Sequence, residues 1–209
     1  ELTWSEVRDR VHVVAAQISQ HGSPGDRVAI LAPQGLEYVI GFLGAIAAGF
    51  IAVPLSVPQP GQHDERVASA LQNCSPAVVL TTSAVVDEVR KYAQSQAGQR
   101  SSRVIEVDAL DFDSPAKPVV VESFPKIAYL QYTSGSTRQP AGVEITHRNA
   151  IVNVDQATTE YFEDRGGVPE DLTILCWAPL YHDMGLILGL FFPLCSGKPG
   201  VLMSPVAFM

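Results

Sequence analysis

Apolar positions along this chain switch repeatedly between helical spacing and short continuous runs. Thr3-Trp4-Ser5-Glu6 matches a capping box, and Val7, Val11, Val14 and Ile18 follow on one face. That pattern predicts a first helix, closed by Gly22 and Pro24. Arg27–Leu31 then reads as a strand. Leu36, Val39, Ile40, Leu43 and Ala47 return to helical spacing, Gly49 suits a left-handed helix end, and Phe50–Val53 reads as a buried strand. A helix over 64–73, a strand over 78–81, a helix over 83–96 and a strand over 103–107 continue the rhythm. Such alternation predicts an α/β fold, a mostly parallel sheet with helices on both faces.

Residues 108–124 interrupt the rhythm. Asp108, Asp111, Asp113, Pro115 and Pro118 make an acidic, proline-punctuated connection, which predicts two units, 1–120 and 121–209. In the second, strands are expected at 127–132, near 143–146, at 172–177 and at 201–203. Helices are expected over about 148–161 and 184–194. The chain stops at Pro205–Met209 without a polar tail, and reads as cut within a longer unit.

From Tyr38 to Pro58 there is no charged residue, a length that could cross a bilayer. Gly41, Gly44, Gly49 and Pro54 divide the stretch, so a helix feeding a buried strand is the expectation and no transmembrane segment is assigned. Hydrophobic residues make up 46% of the 209, enough for a real core. Net charge is −8, which argues against broad nucleic-acid binding but not against a single nucleotide. Cys74, Cys176 and Cys195 show no metal-binding or paired spacing and read as buried thiols of a reducing compartment. With no basic-then-apolar leader, a cytoplasmic location is expected.

The most informative stretch is Tyr132-Thr133-Ser134-Gly135-Ser136-Thr137-Arg138-Gln139-Pro140-Ala141-Gly142, between two expected strands. Glycines admit a polyanion close to the backbone, hydroxyls and amides donate to its oxygens, and Arg138 adds a fixed charge. An ordinary Ser/Gly hairpin loop has the same composition. A Walker A loop would need Gly-Lys at 140 and 141, where Pro140-Ala141 stand, and no Gly-x-Ser-x-Gly nucleophile elbow is present. Farther on, His182-Asp183 falls between an expected strand and an apolar helix, where open α/β sheets bind ligands. Asp183 is expected to cap that helix. His182 reads as a core histidine or as half of a metal pair, and His147 lacks ligand-like spacing to it, so no metal ligands are assigned. The Gly185–Phe192 helix reads as a buried helix or as a tunnel wall.

The loop resembles the phosphate-binding signature of the adenylate-forming superfamily. Arg138 replaces a glycine of the usual pattern and Ala141 replaces its lysine, a variant similar to the fatty-acyl-AMP ligases, particularly actinobacterial ones. Gly44–Ser56 resembles the family's early Ala-Gly…Val-Pro motif, and Ala178–Gly185 its Pro-Leu-aromatic-His motif. The resemblance implies part of the large N-terminal domain of such an enzyme. It implies ATP and Mg²⁺ as cofactors, and Thr133, Ser134, Gly135, Ser136, Thr137 and Arg138 as holders of the β- and γ-phosphates. His182 is implied as the catalytic residue bordering the acyl carboxylate. A long-chain fatty acid is the implied substrate, and an acyl carrier protein of a polyketide or lipid synthase the implied acceptor. By the same resemblance the remaining motifs lie beyond Met209, so these 209 residues alone are expected to be inactive. A long-chain acyl-CoA synthetase and a non-catalytic nucleotide-binding module are the alternative expectations.

Overall fold

The computed structural model describes residues 1–58, 64–94, 101–114, 116–132 and 141–204. Helix α1 (Trp4–Ile18) begins with the expected box. Thr3 Oγ1 accepts from the Glu6 amide at 3.2 Å, while Glu6 Oε2 accepts from the Thr3 amide at 2.7 Å. It ends at Ile18, before Gly22. Strand β1 (Arg27–Ile30), helix α2 (Leu36–Ala47) and strand β2 (Ile51–Pro54) follow, with Gly49 at φ +77° just past α2, a conformation glycine adopts without strain. The apolar stretch therefore divides as expected. Among the described residues no helix is long and apolar enough to cross a membrane.

Helix α3 (Glu65–Cys74) is capped by Asp64, whose Oδ1 accepts from the Arg66 and Val67 amides. Strand β3 (Val78–Thr81), helix α4 (Val86–Gln94) and strand β4 (Arg103–Glu106) come next. Strands β5 (Ile127–Tyr132) and β6 (Gly142–Thr146) and helix α5 (His147–Phe162) follow them. These join one six-stranded sheet of order β4-β3-β1-β2-β5-β6, parallel except for the antiparallel β5–β6 pair.

Every second residue of the central strands faces a different layer, and both layers are apolar. Val28, Ile30, Val78 and Leu80 join the core with α1 and α2, whereas Ala29, Leu31 and Val79 join the one with α3 and α4. Small residues let the layers approach: a Cβ on Gly44 would lie 2.6 Å from Val14 Cγ1, so α1 rests directly on α2.

The last segment departs from the expected uniform helix. Strand β7 (Ile174–Cys176) precedes helix α6 (Asp183–Leu186), a π-helical turn over Ile187–Phe191 and helix α7 (Phe192–Ser196). Strand β8 (Gly200–Leu202) then pairs parallel with β7 in a separate two-stranded sheet. Two glycines bring this broken helix against the exit of β7. A Cβ on Gly185 would overlap the Pro179 carbonyl oxygen and lie 2.7 Å from that of Ala178, and one on Gly189 would lie 2.7 Å from Cys176 Sγ. Phe42 of α2, Tyr129 of β5 and Phe191 form an aromatic trio with centroids 5.6 to 6.0 Å apart, joining the segment to the main sheet.

Candidate functional site

Thr133, Ser134, Gly135, Ser136, Thr137 and Arg138 lie outside the described residues; the two strands that carry them are described. Tyr132 pairs with Gly142 at the mouth of the β5–β6 hairpin. Its hydroxyl donates to Asn73 Oδ1 at 2.6 Å, tying the loop's root to the end of α3. Burial, with the neighbouring Cys74 thiol, pushes the Tyr132 phenol up to about 12, so it remains a donor at neutral pH. On the other side Thr146 caps α5, accepting from the Asn149 amide at 3.0 Å while Asn149 Oδ1 accepts from the Thr146 amide. Both stems of the loop are thus anchored.

His182 sits at the exit of β7, on a turn closed by its own amide donating to Pro179 O at 2.9 Å. It, and not Asp183, is the helix N-cap, with no side-chain capping bond. Asp183 is the first helical residue, and its Oδ1 accepts from the Met184 amide at 2.7 Å and lies 2.6 Å from His182 Nδ1 in an ion-pair contact. That contact orients the imidazole and leaves Nε2 as the nitrogen available to a ligand. Both side chains are exposed, at 62% and 73%, so the pair adds little stability.

Residues not singled out from the sequence hold this turn to the rest of the site. Gln131, the residue before Tyr132, is 7% exposed and donates through Nε2 to Tyr181 O at 2.7 Å. Gln34, just beyond β1, accepts from the Leu180 amide at 3.2 Å and donates to Met203 O at 2.7 Å. A glutamine at a core-facing strand position directly before a polar loop was the available signal for Gln131. Gln34 offered none, because a Gln beside Pro33 and Gly35 reads as an ordinary loop residue.

A cleft of about 450 Å³ opens between α5 and the α6–π segment, lined among others by Tyr129, Asn149, Asn153, Asp183, Met184 and Ile187. Burial, and then the Asp183 charge, raise the Tyr129 phenol to about 12. The π turn lets one segment serve two surfaces. Leu186, Leu190 and Phe191 enter the core, while Ile187 and Leu188 line the cleft.

His147 opens α5 with Phe124 against its ring at 6.3 Å, a packing position. Cys74 and Cys176 are buried as expected, whereas Cys195 is exposed on α7. Among the described residues no group of three or more His, Cys, Asp or Glu side chains could hold a metal. Magnesium is commonly bound through one or two carboxylates together with substrate phosphates. Binding of that kind needs no such cluster, and no step is assigned to the metal.

Known proteins resemble this chain in sequence and in fold. The chain is 56% identical to the long-chain-fatty-acid–AMP ligase FadD26 of Mycobacterium marinum over 209 residues, all of this chain and 36% of that protein. It is 51% identical, over the same shares, to FadD21 of Mycobacterium tuberculosis, named as a candidate fatty-acid–CoA ligase. Its structure is similar to that of the fatty acyl-adenylate ligase of Legionella pneumophila in complex with acyl adenylate and pyrophosphate. The TM-score is 0.79, with 29% identity over 97% of this chain and 34% of that one. The chain thus spans 36% of the length of these curated relatives. The sequence profile of AMP-binding enzymes matches residues 1–209, which takes in the loop, both its stems and the His182 turn, and the chain belongs to the AMP-binding enzyme family.

Proposed function

We propose that the whole protein is a fatty-acid–AMP ligase, joining a long-chain fatty acid to the AMP moiety of ATP with release of pyrophosphate. The observation that carries this reading is the tie between the stem of the hydroxyl- and glycine-rich loop and the His182 turn, the 2.7 Å bond from Gln131 to Tyr181 O. It joins the strand that leads into this loop to the turn that carries His182, at the C-terminal ends of parallel strands, where α/β folds place their ligands. The names of FadD26 and of the Legionella enzyme, whose complex holds acyl adenylate and pyrophosphate, support the same chemistry.

In this mechanism a carboxylate oxygen of the acid attacks the α-phosphorus of ATP. The new bond joins that oxygen to phosphorus, and the bond from the α-phosphorus to the bridging oxygen of pyrophosphate breaks. Thr133, Ser134, Ser136 and Thr137 donate hydroxyls, Gly135 brings its backbone amide close, and Arg138 supplies the charge that offsets the departing pyrophosphate. Mg²⁺, when bound with the nucleotide, would supply further charge neutralisation. His182, oriented through Nδ1 by Asp183, presents Nε2 at the acyl carboxylate. The cleft beside Tyr129 and Ile187 takes the start of the acyl chain.

The acceptor proposed is a carrier-protein thiol of a polyketide or lipid synthase, and the compartment proposed is the cytoplasm. The division near residue 120 is proposed as a subdomain boundary along the chain, within a sheet in which β5 beyond it pairs with β2 before it. The exposed Val120 and Phe124 in the connection support it. The name of FadD21 favours a second reading, transfer to free coenzyme A. Incubating the product of the complete reading frame with ATP, Mg²⁺, labelled dodecanoate and excess coenzyme A separates them. Accumulating acyl-AMP without acyl-CoA is the expected result. Rapid acyl-CoA formation would establish the second reading, and no adenylate of any kind would overturn both.

A further inference from the structure

We propose that Gln131 and Gln34 are positioning residues that set His182 for adenylation, two side-chain amides gripping the peptide units on either side of the Leu180–Tyr181 link in its turn. The proposal rests on the role given to His182 above and names what holds that residue in place.

Gln34 Oε1 accepts from the Leu180 amide, Gln131 Nε2 donates to the Tyr181 carbonyl, and the His182 amide closes the turn on Pro179. The two amides come from the C-terminal ends of β1 and β5, while the turn belongs to the end of β7. Gln34 also donates to Met203 O beyond β8, so its one amide bridges the exits of both strands of the small sheet. The residues joined are 50, 146 and 169 positions apart, so the grip is tertiary and fixes the small sheet against the large one.

Packing alone does not account for the glutamine in β5. Its Oε1 is buried with no hydrogen-bond partner, a state that opposes folding, and an apolar residue would suit the core-facing position better. A polar residue kept against the local rule marks a place where geometry outweighs stability. What the amide provides is the Tyr181 bond. Because Gln131 directly precedes Tyr132 and the loop, any shift of the loop's stem is passed to the His182 turn through a single side chain.

The test uses the product of the complete reading frame with Gln131→Met and Gln34→Met, which remove the amides at nearly constant volume. Misplacement of a reacting group by about 1 Å can cost about a hundredfold in rate, so Gln131→Met is expected to lower kcat for pyrophosphate release at least about tenfold. KM for ATP should stay within about twofold, because the phosphate loop is untouched. In a His182→Ala background the same substitution should add less than about twofold, since the residue it serves is gone. A tenfold loss that persists without His182, or an unchanged kcat in folded Gln131→Met, would overturn the proposal.

Amide exchange provides a readout independent of activity. In Gln34→Met the Leu180 amide is expected to exchange at least about tenfold faster, while Leu31, bonded to Leu80 O in the main sheet, keeps its protection. Unchanged protection at Leu180 would overturn the grip itself. If the wild-type protein forms no acyl-adenylate, the functional reading fails, and the exchange result still decides the geometry.

Discussion

The two sheets of this molecule are built to different standards. In the large sheet, Val28, Ala29, Ile30, Val78, Val79 and Leu80 are all fully buried, with helices on both faces. In the small one Leu175 is 51% and Val201 44% exposed, and Trp177 just beyond β7 is 44% exposed. Parallel strands are normally covered on both faces, and two strands alone are marginal. Within these 209 residues the small sheet is held by contacts from outside itself: from Gln34 and Gln131, from the aromatic trio, and from glycines that seat the broken helix on its backbone. Stability is concentrated in the first region, while the second carries the His182 turn on a few specific contacts.

The contrast is testable by substitution, beginning where the effect should be greatest. Leu80→Ala removes a fully buried side chain between α2 and the sheet and should cost about 3 kcal/mol in urea denaturation. Leu175→Ala, half exposed on β7, should cost less than about 1 kcal/mol. Equal losses would erase the distinction between the regions. Gly185→Ala should cost about 1–3 kcal/mol, since its Cβ has no room against Pro179. It should also lower turnover by displacing the His182 turn. A stable, fully active Gly185→Ala would mean the helix need not sit where it does.

Thiol reactivity separates the regions without mutation. Burial pushes the Cys74 thiol up to about 12, so it should resist a thiol-specific reagent at pH 8, whereas Cys195, exposed on α7, should react first. Fast labelling of Cys74 would show that the large sheet's core opens readily. The smallest effect concerns the helix cap. The backbone amide of Thr3, then its hydroxyl, bonds Glu6 and holds its carboxyl below the usual range. The stability this adds is present above the unfolded pKa and lost as pH falls through the folded one. The Tm gap between wild type and Glu6→Gln should therefore be largest near neutrality and close in acid, whereas a gap independent of pH would remove the carboxylate's role.

The same contrast governs what was legible in the sequence. Strands β3 and β5 and the cap at Thr3 were readable because local periodicity and local hydrogen bonding decide them. The Gly185–Phe192 pattern predicted one continuous helix. The π turn was not visible, because it arises from close contact of Gly185 and Gly189 with residues on the preceding strand exit. Asp183 was expected as the N-cap on residue preference, but its Oδ1 accepts from the adjacent Met184 amide, and the cap falls one residue earlier, at His182. The candidate site was legible as two motifs, the loop and the His182 turn. The bonds that join them connect residues far apart in sequence, and no local pattern encodes them.

The central claim, that the loop and the His182 turn form one adenylating site, is tested most directly by ATP–pyrophosphate exchange with a fatty acid. Arg138→Ala and His182→Ala are compared with wild type in the product of the complete reading frame. Loss of a single charge-stabilising donor is worth on the order of a hundredfold in rate, so each variant should fall by about that factor while its unfolding midpoint stays near wild type. Exchange at the wild-type rate in either folded variant would contradict the account.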